Sequence, residues 1–218
     1  MFTRLVTIIG ATLLGLALFG VAPANAAPPV VLGGGSGIII DKQFECTLTT
    51  IGNDGAGRLV GLTAGHCGGP GATVWAEADP AAGPVGRFTY TNPNLDYAVV
   101  EFDRGKVIPV NRIGNVTIAG LGVPSQFPNI VCKEGRTTGN TCGITYGDVF
   151  QTGVETWTQM CVVEGDSGAP VVLGNTLVGM VNAYLAVACL GPEVGTNMNV
   201  IMNDLNSQRI VGSGYRPI

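Results

Sequence analysis

Past residue 35 almost nothing in this chain repeats with the period of a helix. Short runs rich in Val, Ile, Thr and aromatic residues are cut by Gly, Pro and Asn, and glycine, 34 in the full chain, breaks any longer pattern. Segments this short bury an apolar face only by pairing edge to edge with other segments. Their spacing predicts strands over residues 37–40, 57–62, 73–76, 86–91, 97–102, 169–173, 177–183 and 195–200. Only residues 200–207, with Val200, Ile201 and Leu205, read as a short helix. The chain is therefore expected to be all-β with one C-terminal helix.

The first residues carry a different signal. Met1 to Arg4 form a basic start, Leu5 to Val21 are almost wholly apolar, and Ala24-Asn25-Ala26 places small residues where a signal peptidase reads them. Residues 1–26 are expected to be a secretory signal peptide cleaved after Ala26, giving a secreted, extracellular protein. The apolar run is short for a bilayer span and Pro28 and Pro29 follow, so an uncleaved anchor is disfavoured. No other stretch reads as a membrane span.

All six cysteines lie downstream of this leader. In an oxidising compartment they pair, and six allow fifteen connectivities that arithmetic alone leaves open. A zinc site is disfavoured, because no cysteine pair has the two-residue spacing of a knuckle and there is a single histidine. No metal is expected. The formal net charge of −4 offers no basic patch and argues against a nucleic-acid partner.

That single histidine, His66, sits in Thr63-Ala64-Gly65-His66-Cys67. An imidazole of near-neutral pKa takes a proton from a serine hydroxyl and returns it to a leaving amine. A hundred residues later comes Gly165-Asp166-Ser167-Gly168-Ala169-Pro170, with Ser167 as candidate nucleophile. Alone, the histidine reads as structural and the glycine-flanked serine as a turn. Such a pair needs a carboxylate to orient the imidazole. Between the two motifs lie Asp79, Asp96, Glu101, Asp103, Glu134 and Asp148. Asp96 is preferred, since it opens the apolar run Tyr97-Ala98-Val99-Val100; its competing reading is a turn residue after Asn92-Pro93-Asn94.

Together these motifs resemble the active-site signatures of the chymotrypsin-fold serine proteases. The segment from Cys132-Lys133-Glu134-Gly135-Arg136-Thr137-Thr138-Gly139 to Cys142-Gly143, and the spacing from Cys161 to Ser167, resemble the bacterial secreted branch of α-lytic protease and the streptogrisins. The likeness runs over roughly residues 36–212. It implies two six-stranded antiparallel Greek-key barrels, the first over 36–118 after a short segment 27–35, the second over 119–218, with the crossing near 113–126. It implies a His66, Asp96, Ser167 triad, an oxyanion hole from the Gly165 and Ser167 backbone N–H groups, and an acyl-enzyme route needing no cofactor. It further implies the disulfides Cys46–Cys67, Cys132–Cys142 and Cys161–Cys189, and a structural Lys133–Asp166 ion pair where the branch has an arginine. Val162, Val163, Glu164, Asn182, Ala183 and Tyr184 would line the substrate pocket, with protein or peptide substrates and a monomeric enzyme.

Three departures stand out. The branch carries a long pro-region, and only about ten residues separate the expected cleavage site from Ser36. Asn182-Ala183-Tyr184 replaces a Ser-Gly-Gly substrate strand, and Ala169 replaces a glycine. Tyr184 and Leu185 suggest a shallow pocket for small apolar side chains, and Asn182 stands where the branch has a serine bonded to the aspartate. The competing class is a catalytically weak or inactive homologue acting as a secreted binding or surface protein; a structural envelope protein would explain the disulfides but not the motifs.

Overall fold

The computed structural model describes residues 27–218; the leader expected over 1–26, with its cleavage site, lies outside the described residues. The first sheet is built from β1 (Gly37–Ile40), β2 (Phe44–Thr47), β3 (Thr50–Asn53), β4 (Leu59–Ala64), β5 (Thr73–Ala76), β6 (Pro84–Asn92) and β7 (Tyr97–Phe102). The second contains β8 (Ile130–Gly135), β9 (Gly139–Gly147), β10 (Glu155–Thr158), β11 (Pro170–Leu173), β12 (Thr176–Tyr184) and β13 (Glu193–Asn197). Helix α1 (Met198–Gln208) and a last strand β14 (Arg216–Pro217) close the chain. Among the described residues the fold is all-β with one α-helix, as the segment lengths require.

In the second sheet the ladder runs β8, β9, β10, β13, β12, β11 and back to β8, a closed six-stranded barrel. The first sheet has the order β14, β3, β4, β7, β6, β5, β1, β2 and forms a half-barrel, because no ladder joins β2 to β14. At the end of β2 the Thr47 N–H donates to the Ser167 carbonyl at 2.8 Å and joins this edge to the other barrel.

Strand β4 is buried along its whole length and pairs antiparallel with β7. Their ladder ends at Ala64 opposite Tyr97, so Gly65 and Asp96 leave the sheet side by side. One register thus brings two distant motifs to one barrel end. After Gly120–Leu121 joins β12 the chain belongs to the second sheet, near the expected crossing. Its last strand returns, pairing Arg216 and Pro217 with Asn53 and Gly52 of the first sheet, although it falls within the stretch expected for the second barrel.

The expected strand over 195–200 ends at Asn197, where α1 begins and buries Met198, Ile201, Met202 and Leu205. These join Leu177 and Met180 in the larger core with the first barrel's aliphatic residues. A smaller core of Val131, Met160, Val162, Ala169, Val171, Val178 and Val181 fills the second barrel.

Candidate active site

His66 occupies a single 3-10 turn, Gly65–Cys67, directly after β4. Asp96 grips it twice: Oδ1 accepts from the His66 backbone N–H at 2.8 Å, and Oδ2 lies 2.8 Å from the ring Nδ1. A β-carbon on residue 65 would stand 3.0 Å from Asp96 Oδ1 and 2.9 Å from the Tyr97 nitrogen, so this approach requires glycine. Asp96 itself takes a left-handed conformation, φ 46°, uncommon for a residue with a β-carbon and tolerated best by Asn and Asp. The turn ahead of it is held by Asn92 Oδ1, which accepts from the Asn94 and Leu95 N–H groups at 3.0 and 3.1 Å. The turn expected for this segment thus carries a carboxylate bonded to the imidazole.

The two groups shift each other electrostatically. Hydrogen bonding to Asp96 raises the His66 pKa above 6.5, against the pull of burial. Burial alone would push Asp96 up, but the His66 hydrogen bond and charge, with help from Asn182, hold it below 3.8. The pairing thus favours the ionised carboxylate and stabilises the imidazolium relative to a free imidazole.

Ser167 comes from the other barrel, on the loop between Cys161 and β11. First-barrel threonines pin this loop: Thr47 Oγ1 donates to the Gly165 carbonyl at 2.9 Å and Thr49 Oγ1 to the Gly168 carbonyl at 2.6 Å. Both are fully buried. Nothing in their local sequence marks them, since the contacts span more than a hundred residues. Gly165 has φ 92°, in the region that favours glycine. The Glu164 carbonyl accepts from Thr137 Oγ1 at 2.8 Å. Peptide planarity then turns the Gly165 N–H the opposite way.

Asp166 is fully buried. Its oxygens accept from the N–H groups of Thr137, Thr138 and Val163, each at 3.1 Å, and from Thr138 Oγ1 at 2.6 Å. The Lys133 ammonium, also without exposure, lies 3.5 Å from Asp166 Oδ2 and donates to the Gly139 carbonyl at 2.9 Å and to the Thr138 hydroxyl. It makes a single-point contact rather than a fork.

His66 and Ser167 line one cleft of about 480 Å³, with Phe44, Glu45, Arg136, Glu164 and Gly165 among its walls. Arg136 is tied to Glu77 and Glu45. Among the described residues the His66 ring bonds only to Asp96 and Ser167 Oγ has no hydrogen-bond partner. Of the residues expected to form a pocket, Glu164 lines this cleft, while Val162 is packed into the second core. Ala183 and Tyr184 are exposed at the end of β12. Asn182 turns its amide to Asp96, and its Oδ1 accepts from the Thr196 N–H at 2.7 Å. Disulfides join Cys46 to Cys67, Cys132 to Cys142 and Cys161 to Cys189. The first fastens β2 to the His66 turn, and the third ties the loop carrying Ser167 to the segment before β13.

No protein-family model matches the chain. Its structure is similar to that of Nocardiopsis protease, with TM-score 0.68 and 24% identity, covering 80% of this chain and 96% of that one. Thermobifida fusca protease A matches with TM-score 0.68 and 22% identity, over 81% and 97% of the two chains. Cellulomonas bogoriensis chymotrypsin matches with TM-score 0.66 and 27% identity, over 87% and 99%. With two barrels and these neighbours, the chain has the fold of the bacterial chymotrypsin-type serine proteases.

Proposed function

We propose that the chain is a secreted serine endopeptidase that cleaves peptide bonds through an acyl-enzyme intermediate. The observation that carries the reading is the double grip of Asp96 on the chain's single histidine, in a cleft shared with Ser167. In this reading the first barrel supplies His66 and Asp96 and the second supplies Ser167. As substrate enters, His66 Nε2 takes the Ser167 proton while Oγ attacks the scissile carbonyl carbon. Asp96 stays ionised, accepts the Nδ1–H and stabilises the imidazolium. The Gly165 and Ser167 N–H groups receive the developing oxyanion; losing one such donor costs about 3 kcal/mol. His66 then protonates the leaving amine, and water, deprotonated by the same imidazole, releases the acid. The leader and three disulfides support secretion. Lys133 and Asp166 act as scaffold beneath the loop.

On the acyl side the reading is a preference for small apolar side chains. Val162 lies in the core against Val181 and Ala169, and Tyr184 and Leu185 are exposed where the substrate strand would run. A peptide panel cleaved mainly after Arg, Lys or Phe would overturn this preference.

The absence of a Ser167 Oγ hydrogen bond among the described residues favours a second reading, a weak or inactive homologue that binds rather than cuts. Apo sites of active enzymes also show open nucleophile–base pairs, so the catalytic reading stands first. A chromogenic ester separates the two. The endopeptidase reading predicts a burst of product stoichiometric with protein, abolished in Ser167→Ala; a folded, disulfide-bonded protein without a burst would sink it.

A further inference from the structure

The last pair of the ladder between β6 and β7 is Asn92 opposite Tyr97. Between them runs the loop over 93–96, and its final residue is Asp96. Side chains of a directly opposed pair leave the sheet on one face. Here both reach the same atom. Asp204 Oδ2, on α1, accepts from the Tyr97 hydroxyl at 2.6 Å and from Asn92 Nδ2 at 2.9 Å. One carboxylate oxygen of the C-terminal helix therefore clamps both ends of the loop that presents Asp96 to His66.

The clamp has a direction. A carboxylate only accepts hydrogen bonds, so it turns the nitrogen of the Asn92 amide toward itself and the oxygen away. That oxygen meets the Asn94 and Leu95 N–H groups at 3.0 and 3.1 Å. With the amide reversed, donors would face donors at both of its ends. Asp204 thus selects the amide orientation that closes the turn ahead of the left-handed Asp96.

Tyr97 works from the other end of the loop. It is fully buried, its ring lies 5.9 Å from that of Tyr90, and its backbone pairs with Ala64, the residue before the His66 turn. Burial first, and then the Asp204 hydrogen bond and charge, push the phenol pKa above its ordinary value, so the hydroxyl stays a donor. Burial disfavours the charge on Asp204, yet its donors Tyr97, Asn92 and Gln208 outweigh it and hold the pKa below 3.8. Gln208, one helical turn on, donates to the second oxygen at 3.2 Å.

We propose that Asp204 is a positioning residue for the contact between His66 and Asp96. It touches neither group. It acts through Asn92 and Tyr97, by fixing the loop on which the Asp96 carboxylate is aimed at the imidazole. The activity arm of the proposal rests on the endopeptidase reading, and its spectroscopic arm rests on the His66–Asp96 contact alone.

The experiment compares wild type with Asp204→Ala and Asp204→Asn. Its readouts are steady-state kinetics on a peptide substrate and the low-field proton resonance of His66 Nδ1–H. An asparagine at this position keeps an oxygen where Oδ2 lies and can accept from both donors. Asp204→Ala is expected to lower kcat by about tenfold with KM unchanged, because Asp204 forms no wall of the cleft. Its Nδ1–H resonance is expected to move upfield and broaden. Asp204→Asn is expected to keep kcat within about twofold of wild type and the resonance in place.

An Asp204→Ala protein of lowered stability whose kcat and resonance match wild type overturns the proposal, because the clamp would then serve folding alone. So does a change confined to KM, or an Asp204→Asn protein as impaired as Asp204→Ala. A wild type that cleaves no peptide fails the endopeptidase reading instead, and the resonance still decides: moved in Asp204→Ala it supports the clamp, unmoved it overturns it. Should Asp204→Ala not fold, Tyr97→Phe takes its place. That variant keeps the ring, loses one of the two links to Asp204, and is expected to move the resonance in the same direction; an unmoved resonance overturns the proposal.

Discussion

A single amide joins Asn182 to Asp96 across the two barrels: its Nδ2 donates to the Asp96 backbone carbonyl at 2.7 Å and to the carboxylate at 2.9 Å. Thr196 adds a second tie, its hydroxyl donating to the Leu95 carbonyl at 2.8 Å. The left-handed Asp96 turn is thus braced from β12 and β13. Asn182 stands on the strand read as facing the substrate, so the same residue links that strand to the carboxylate bonded to His66.

Removing this brace weakens the carboxylate's hold on the imidazole. A hydrogen bond to a charged group contributes about 1.5–3 kcal/mol. Asn182→Ala is expected to lower kcat/KM by about ten- to hundredfold, mainly through kcat, and Asn182→Ser, which keeps one donor, by less. Steady-state kinetics on a peptide substrate read both values. An Asn182→Ala enzyme with wild-type kcat contradicts the bracing role.

The chain's one histidine makes its titration directly visible. The Asp96 hydrogen bond raises the folded pKa of His66 above 6.5. The stability this pair contributes is complete below 6.5 and is lost as pH rises through the folded value. Imidazole NMR of a Ser167→Ala background is expected to give a midpoint above 6.5, and added Asp96→Asn is expected to lower it. The acid limb of the activity profile should follow the same group. A midpoint unmoved by Asp96→Asn would contradict the pairing.

Lys133 and Asp166 are both without exposure, so removing the cation strands a buried carboxylate. Breaking such a pair costs about 3–5 kcal/mol. Lys133→Met is expected to lower the urea midpoint accordingly, and Lys133→Arg, which restores a cation, to recover most of it. A Lys133→Met protein as stable as wild type contradicts this role.

The legible part of the fold follows local chemistry. The uninterrupted β-branched and aromatic runs at 37–40, 73–76 and 97–102 coincide with β1, β5 and β7, because those segments are buried enough for their apolar pattern to dominate. The hairpin of β8 and β9 was visible only as a motif. Its strands alternate cysteine, threonine, glycine and charge, which carries little apolar period. The expected strand over 195–200 overruns the end of β13 by three residues, since Val200 suits either element and burial against the core selects the helix. At the site, His66, Asp96 and Ser167 stood out because each sits in a compact motif. Thr47 and Thr49 did not, because their partners lie far along the chain and only the assembled barrels bring them together.

Labelling with a fluorophosphonate probe tests the central claim most directly. The account predicts that the purified, disulfide-bonded protein reacts at one site, that Ser167→Ala abolishes labelling, and that His66→Ala and Asp96→Asn each slow it by orders of magnitude. A folded wild-type protein that does not label, or a Ser167→Ala variant that labels like wild type, would contradict it.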